Sequence, residues 1–277
     1  MIPKIIHYCW FGGNPLPKLA RKCIKSWKKH CPEYQLVRWD ESNFDLSSCP
    51  LYVRQAYEVG QWAFVSDYVR LKVVHDCGGV YLDTDVELLK PLDELLSHKA
   101  YFGFEDARAI NAVSNDLTGA PVYVATGLGF GAEKGAIILQ EMMNDYLDIP
   151  FILEDGTYDQ ETCPRRNTGA LVRHGLKQDN SLQIIGDDIL VLPSHWLCPF
   201  DYWAGIGEIT DETISIHWFS ASWMEEEQRQ ARKKRVKNRK KANRKEYIRY
   251  LPNRLALKVM GQNRYDKVRA FFKRKSS

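Results

Sequence analysis

The sequence predicts an α/β fold, with helices packed against a largely parallel β-sheet. Two stretches carry this prediction. Residues 2–10, IPKIIHYCW, form an apolar run closed by the turn signal Gly12-Gly13-Asn14-Pro15. Leu19, Cys23 and Trp27 then recur at helical spacing before a second apolar run at 34–39. Downstream, a helical pattern over 51–77, with Phe64, Tyr68, Leu71 and Val74 on one face, stops at Gly78-Gly79 and leads into a strand at 80–86. Strand, helix, strand order of this kind begins an α/β sandwich.

The remaining elements follow from the same periodicities. Strands are expected at 100–104, 127–130, 182–185 and 213–218, and helices at 136–146 and 168–176. The run Gly127-Leu128-Gly129-Phe130-Gly131 lacks the Lys-Ser/Thr that completes a phosphate loop, so it reads as backbone needing close approach. At 277 residues and 44% hydrophobic composition, the chain can bury one substantial core.

Charge divides the chain unevenly. Residues 229–277 hold 20 Lys and Arg against two acids, Glu246 and Asp266, a net of +18; the rest carries 19 basic and 33 acidic residues, a net of −14. The expected organisation is a folded body over 1–228 and a basic tail over 229–277. Within the tail, Ile248, Leu251, Leu255, Leu257, Val259, Phe271 and Phe272 mix with the bases, as in an amphipathic helix broken at Pro252 and Gly261. Such a segment suits an anionic membrane surface; nucleic acid is the rival ligand and a solvated tail the bland alternative. The seven cysteines lack metal-ligand spacing and read as reduced thiols, mostly buried. With neither a signal-peptide pattern nor a membrane-spanning apolar run, the expected location is the cytoplasm, at the inner face of the cell membrane.

The segment YLDTDVELL concentrates the chemistry. On a strand, Asp83 and Asp85 would point to one face, where two carboxylates repel unless a hard cation lies between them. Oxygen ligands suit Mn2+ or Mg2+ and leave coordination positions for diphosphate oxygens. Asp67 and Arg70, one helical turn apart, read either as a surface ion pair or as a site pair. His217 is either a further metal ligand or a satisfied core histidine, and Trp10 either core or a platform for a base. Asn167-Thr168-Gly169 is either a helix cap or a group of sugar contacts.

IPKIIHYCWFGG, SDYVRLKVVHDCGGVYLDTDV and HWFSASW together resemble the DXD-motif sugar transferases. That family includes family 32 glycosyltransferases, bacterial capsular polysaccharide and lipopolysaccharide transferases, fungal initiating mannosyltransferases and clostridial glucosylating toxins. The resemblance covers roughly residues 1–225 and implies a type A glycosyltransferase (GT-A) fold, an α/β/α sandwich with the donor at the carboxyl ends of the central strands. It implies Asp85 on the metal, Asp83 shared between the metal region and the donor ribose, Asp67 and Arg70 holding the donor sugar, and Trp10 beside the base. Ser222 and Trp223, with Ser220 as a further contact, would close over the donor. The implied reaction moves a sugar, with retention, from a nucleotide-sugar, UDP-sugar favoured, to a hydroxyl of a polysaccharide or lipid-linked oligosaccharide. A metal-dependent nucleotidyl- or phosphotransferase would use the same aspartates, and a nucleic-acid-binding protein would rest on the tail.

Overall fold

A computed structural model of the chain describes residues 1–105, 121–200 and 207–220, together with 230 and 234. The chain divides into two units, Met1–Glu226 and Glu227–Ser277, and the description that follows concerns the first. The amphipathic helix expected in the tail lies outside the described residues.

Strand β1 (Ile5–Cys9) leads through helix α1 (Lys18–His30) to β2 (Gln35–Trp39), and β1 and β2 pair in parallel from Ile5↔Gln35 to Cys9↔Trp39. Helices α2 (Leu51–Glu58) and α3 (Trp62–Cys77) follow in place of the single helix expected over 51–77. The break falls at Gly60, whose φ of 72° is incompatible with continuing a right-handed helix. Helix α3 ends at Gly78 (φ 70°), where a Cβ would meet the Lys134 amide nitrogen at 2.9 Å, so the strand can enter only behind a glycine.

Strand β3 (Gly79–Tyr81) pairs in parallel with β1, and β4 (Val86–Leu88) leaves the main sheet. Strands β5 (Ala100–Gly103) and β6 (Phe130–Ala132) come next, then helices α4 (Ile137–Asn144) and α5 (Cys163–Arg173). The expected strand at 127–130 is a helical turn over Thr126–Leu128 followed by β6. The closing elements are β7 (Gln183–Ile185), β8 (Ile189–Leu192), the short helix α6 (Ser194–Leu197) and β9 (Ser215–His217).

The main sheet has the order β2-β1-β3-β6-β5-β8-β7. Five strands point one way, and β6 and β7 run against them. The sheet is therefore mixed and mostly parallel, in line with the expected α/β class. A separate two-stranded sheet pairs β4 with β9 in antiparallel register.

Alternation along the strands feeds two cores. Tyr81, Phe102, Phe130 and Val191 join α2 to α5 in one cluster; Val80, Leu82, Tyr101 and Leu192 join Cys23 and Trp27 of α1 in the other. Among the cysteines, Cys77 is exposed, Cys163 is partly buried and the other five are buried, all as free thiols.

His7 sits inside the sheet at 1% exposure. Its Nδ1 accepts from Trp39 Nε1 at 3.0 Å, which leaves Nε2 to donate to the Gly78 carbonyl at 2.9 Å. Burial pushes the imidazole below its ordinary value, with the Gly78 carbonyl opposing. A folded-state value below the unfolded one means full stability above pH ~6.5, lost as the pH falls toward the folded value, because the unfolded chain takes up the proton first. Denaturant midpoints should fall on acidification through pH ~6.5, and His7→Leu should flatten that dependence while costing about 1–3 kcal/mol at neutral pH for the unpaired Trp39 and Gly78 groups.

Candidate active site

The two aspartates meet through a turn. Strand β3 stops at Tyr81, and the Val86 amide donates to the Asp83 carbonyl at 2.9 Å, closing the Asp83-Thr84-Asp85 turn before β4. This corrects the expectation of one strand over 80–86 with both carboxylates presented by alternation. Asp and Thr compete locally for backbone hydrogen bonds and favour turns, and here they end the strand at its carboxyl edge.

Asp85, 7% exposed, is enclosed by the second sheet. Val86 pairs with His217, so the imidazole Nε2 lies 3.1 Å from Asp85 Oδ1. The Ser220 amide donates to Oδ2 at 2.6 Å, and the Trp218 amide to the Asp85 carbonyl at 3.0 Å. Burial works against the Asp85 charge, but His217 and the Ser220 amide outweigh it and hold the carboxyl well below the usual carboxylate range. Burial likewise opposes protonation of His217, yet Asp85 raises the imidazole above its ordinary value.

Asp83 faces the other way, toward α3. Its Oδ1 accepts from Tyr81 Oη at 2.9 Å and from Arg70 Nη2 at 3.2 Å; the same Nη2 lies 3.0 Å from Asp67 Oδ1. The Asp67–Arg70 pair is thus a buried one, with side chains 13% and 5% exposed, and the surface reading does not hold. Arg70 Nε donates to the Ser66 carbonyl, Nη1 reaches Thr126 Oγ1 at 3.4 Å and Cys163 Sγ at 3.7 Å, and the guanidinium lies 5.1 Å from the centre of the Tyr81 ring. Every nitrogen of the fork is engaged by protein. Burial raises both Asp67 and Asp83, with Arg70 opposing in each case.

One oxygen or nitrogen from each of Asp83, Asp85 and His217 lies within 4.8 Å of the others. His217 Nδ1 is buried without a hydrogen-bond partner among the described residues. Two carboxylate oxygens and one imidazole nitrogen could hold a divalent cation, and the imidazole suits a first-row transition ion better than Mg2+, which prefers oxygen alone.

Trp10 follows β1 as Asp83 follows β3, so both stand beyond the carboxyl ends of neighbouring parallel strands. The indole is partly buried, and its Nε1 donates to the Asn14 carbonyl at 2.5 Å. Ser222 and Trp223 lie outside the described residues. Asn167 and Thr168 sit mid-helix in α5, fully buried, so the cap reading fails. Thr168 Oγ1 takes the Val124 amide at 2.9 Å, and Asn167 Nδ2 donates to Thr126 Oγ1 at 3.2 Å. Both brace the turn over Thr126–Leu128. At its centre, a Cβ on Gly127 would stand 2.6 Å from Asp83 Oδ2.

Sequence reasoning missed Tyr81, Thr126 and Cys163 as members of this network. Tyr81, two residues before Asp83 and on the same side of the extended chain, was the one carrying a local signal.

Residues 17–102 match the sequence model of the family described as the glycosyltransferase sugar-binding region containing a DXD motif. The match supports, for that stretch, a likeness to the DXD-motif glycosyltransferases. Inositol phosphoceramide mannosyltransferase 3 of Schizosaccharomyces pombe is 35% identical over 103 residues, 36% of this chain and 29% of that protein. Mannosyltransferase 1 of the same name and organism is 29% identical over 125 residues, 42% of this chain and 37% of that protein. The chain therefore spans well under half the length of these relatives. Among solved structures, the PaToxG glycosyltransferase aligns with a TM-score of 0.44 and 17% identity over 62% of this chain and 69% of that one. A glycosyltransferase involved in the glycosylation of the major capsid of PBCV-1 aligns at 0.43 and 13%, over 85% of this chain and all of that one.

Removing the guanidinium would leave Asp67 and Asp83 facing each other unpaired. Arg70→Met should cost about 3–5 kcal/mol in chemical denaturation, the usual penalty for stranding buried charge. Gly127→Ala should push Asp83 aside and weaken Mn2+ binding, followed by calorimetry, about tenfold or more. Gly169→Ala, where a Cβ meets nothing nearer than 3.9 Å, should leave binding unchanged.

Proposed function

We propose that this protein is a metal-dependent retaining glycosyltransferase, moving a sugar from a nucleotide-sugar to a hydroxyl of a lipid-linked or polysaccharide acceptor. One observation carries the reading. The cluster of Asp83, Asp85 and His217 stands at the carboxyl edge of a mostly parallel sheet, and both aspartates lie inside the stretch that matches the DXD family.

A divalent cation held by Asp85, Asp83 and His217 would supply positive charge to the diphosphate as the bond to the sugar breaks. The protein's own residues fix where that can happen. The His217 ring and the Ser220 amide keep Asp85 ionised and positioned at the strand edge, so its charge is in place before a donor binds. Arg70 locks Asp83 in place and keeps Asp67 beside it, leaving one carboxylate oxygen of Asp83 turned toward the Gly127 backbone. Because Asp67, Asp83 and Asp85 are each engaged in this way, retention through displacement on the same face of the sugar fits better than a covalent glycosyl-carboxylate.

The relatives are named for a mannosyl group and an inositol phosphoceramide, which favours a lipid-borne acceptor here; a polysaccharide acceptor is the second choice. A lipid acceptor fits a protein working at the cytoplasmic face of a membrane, with the basic tail over 229–277 as one contact. Among the described residues no helix is long and apolar enough to cross a membrane.

The test is a panel of sugar nucleotides, UDP-sugars and mannose nucleotides included, incubated with Mn2+ while nucleoside diphosphate release is followed. Release should vanish with a chelator and drop about a hundredfold or more in Asp85→Asn, with the product retaining the donor's anomeric configuration by NMR. Pyrophosphate release would point instead to nucleotidyl transfer, and silence with every donor would sink the reading.

A further inference from the structure

Helix α1 carries its charge on one side. Lys18, Lys22, Lys25 and Lys29 follow at intervals of four, three and four residues and so form one stripe, flanked by Arg21 and Lys28. All six are exposed, while Ala20, Cys23 and Trp27 are buried on the opposite face. Between the stripe and β4 runs an open groove of about 630 Å³, lined by Lys22, Lys25, Lys28 and Lys29 together with Leu88 and Leu89. Glu87 is the one acid among the described residues that line it, and it is taken by Lys22 at 2.7 Å. Lys18, Lys25, Lys28 and Lys29 form no ion pair among the described residues.

The groove is tied to the cation site. Trp27 Nε1 donates to the Val86 carbonyl at 2.7 Å, and Ser26 Oγ accepts the Leu88 amide at 2.9 Å, so α1 is fastened along the strand that begins right after Asp85. A three-residue strand spans only about 10 Å. Trp218, next to His217 and 39% exposed, donates to Glu87 and lies 5.2 Å beneath Lys22, placing an indole at the groove's edge.

We propose that the α1 stripe and its groove dock on the anionic headgroups of a lipid leaflet and so present a lipid-borne acceptor to the Asp83, Asp85 and His217 site; the acceptor part rests on the reading given above. Five of the six bases are lysines, whose compact, hydrated charges on long stems suit a fluid array of headgroup phosphates, whereas reading a fixed polyanion favours arginine forks. An exposed tryptophan beside the lysines matches the residue that settles at headgroup level, and the partly buried Leu89 adds apolar lining.

The test uses the full chain, with acetylation of lysine amines read by mass spectrometry in the presence of vesicles. Vesicles containing phosphatidylserine should protect Lys25, Lys28 and Lys29 several-fold relative to the exposed Lys134 and Lys177; phosphatidylcholine alone should not. Reversing three charges, Lys25→Glu with Lys28→Glu and Lys29→Glu, should weaken flotation with anionic vesicles about tenfold or more. It should also raise KM for a lipid acceptor while leaving acceptor-free donor hydrolysis unchanged. Protection confined to the tail, unaltered flotation of the triple variant, or equal protection by an oligonucleotide would overturn the proposal. Donor hydrolysis measured on the parent protein reports on the transferase reading separately, since its absence would leave the footprint interpretable.

Discussion

The arrangement depends on one buried cation. Arg70, 4% exposed in the middle of α3, stands between Asp67 and Asp83 and is the reason two carboxylates can be held near a third at the edge of an apolar sheet. Burial alone would drive these acids to protonate; the guanidinium opposes that while its other nitrogens anchor to Ser66, Thr126 and Cys163. A fork with five donors in a fixed plane can satisfy so many acceptors at once, which a lysine could not. The position of Asp83 is thereby set by α3, and that of α3 by the core it shares with α2, α4 and α5.

Asp85 is organised by a different device. Its partner His217 arrives from 132 residues further along the chain on β9, which pairs with β4 and with no strand of the main sheet. The site therefore straddles two sheets: one carboxylate is governed by the α3 helix, the other by a short antiparallel ribbon. The two are pushed in opposite directions in proton affinity, Asp83 upward and Asp85 downward. Part of that split is their mutual repulsion, since the Asp85 charge adds to burial in raising Asp83.

Much of this was legible in the sequence because the relevant signals are local. The β1, α1, β2 unit, the Gly78-Gly79 stop and the close-approach reading of the 127–131 glycines follow from periodicity and from residues with restricted backbone choices. What escaped was set by tertiary contact. The turn at Asp83-Thr84-Asp85 looked like more strand because Val80, Leu82 and Val86 continue an apolar alternation, and only the departure of β4 toward β9 reveals the bend. Asn167 and Thr168 resembled a cap because both residues favour caps, yet α5 starts four residues earlier, at Cys163 with Pro164 behind it. Strand β8, Ile189–Leu192, is a four-residue apolar run with no alternation to mark it, as expected for a strand buried on both faces.

The pairing of Val86 with His217 has an implication for how the chain can change over evolutionary time. Side chains on a ribbon alternate strictly, so gaining or losing one residue between Ser215 and His217 would aim Ile216 or Trp218 at Asp85. Length changes upstream, in the connection between α6 and β9, leave that alignment intact. The placement of His217 is thus guarded by a counting rule, which ties the length of the ribbon and leaves the approach to it open to remodelling.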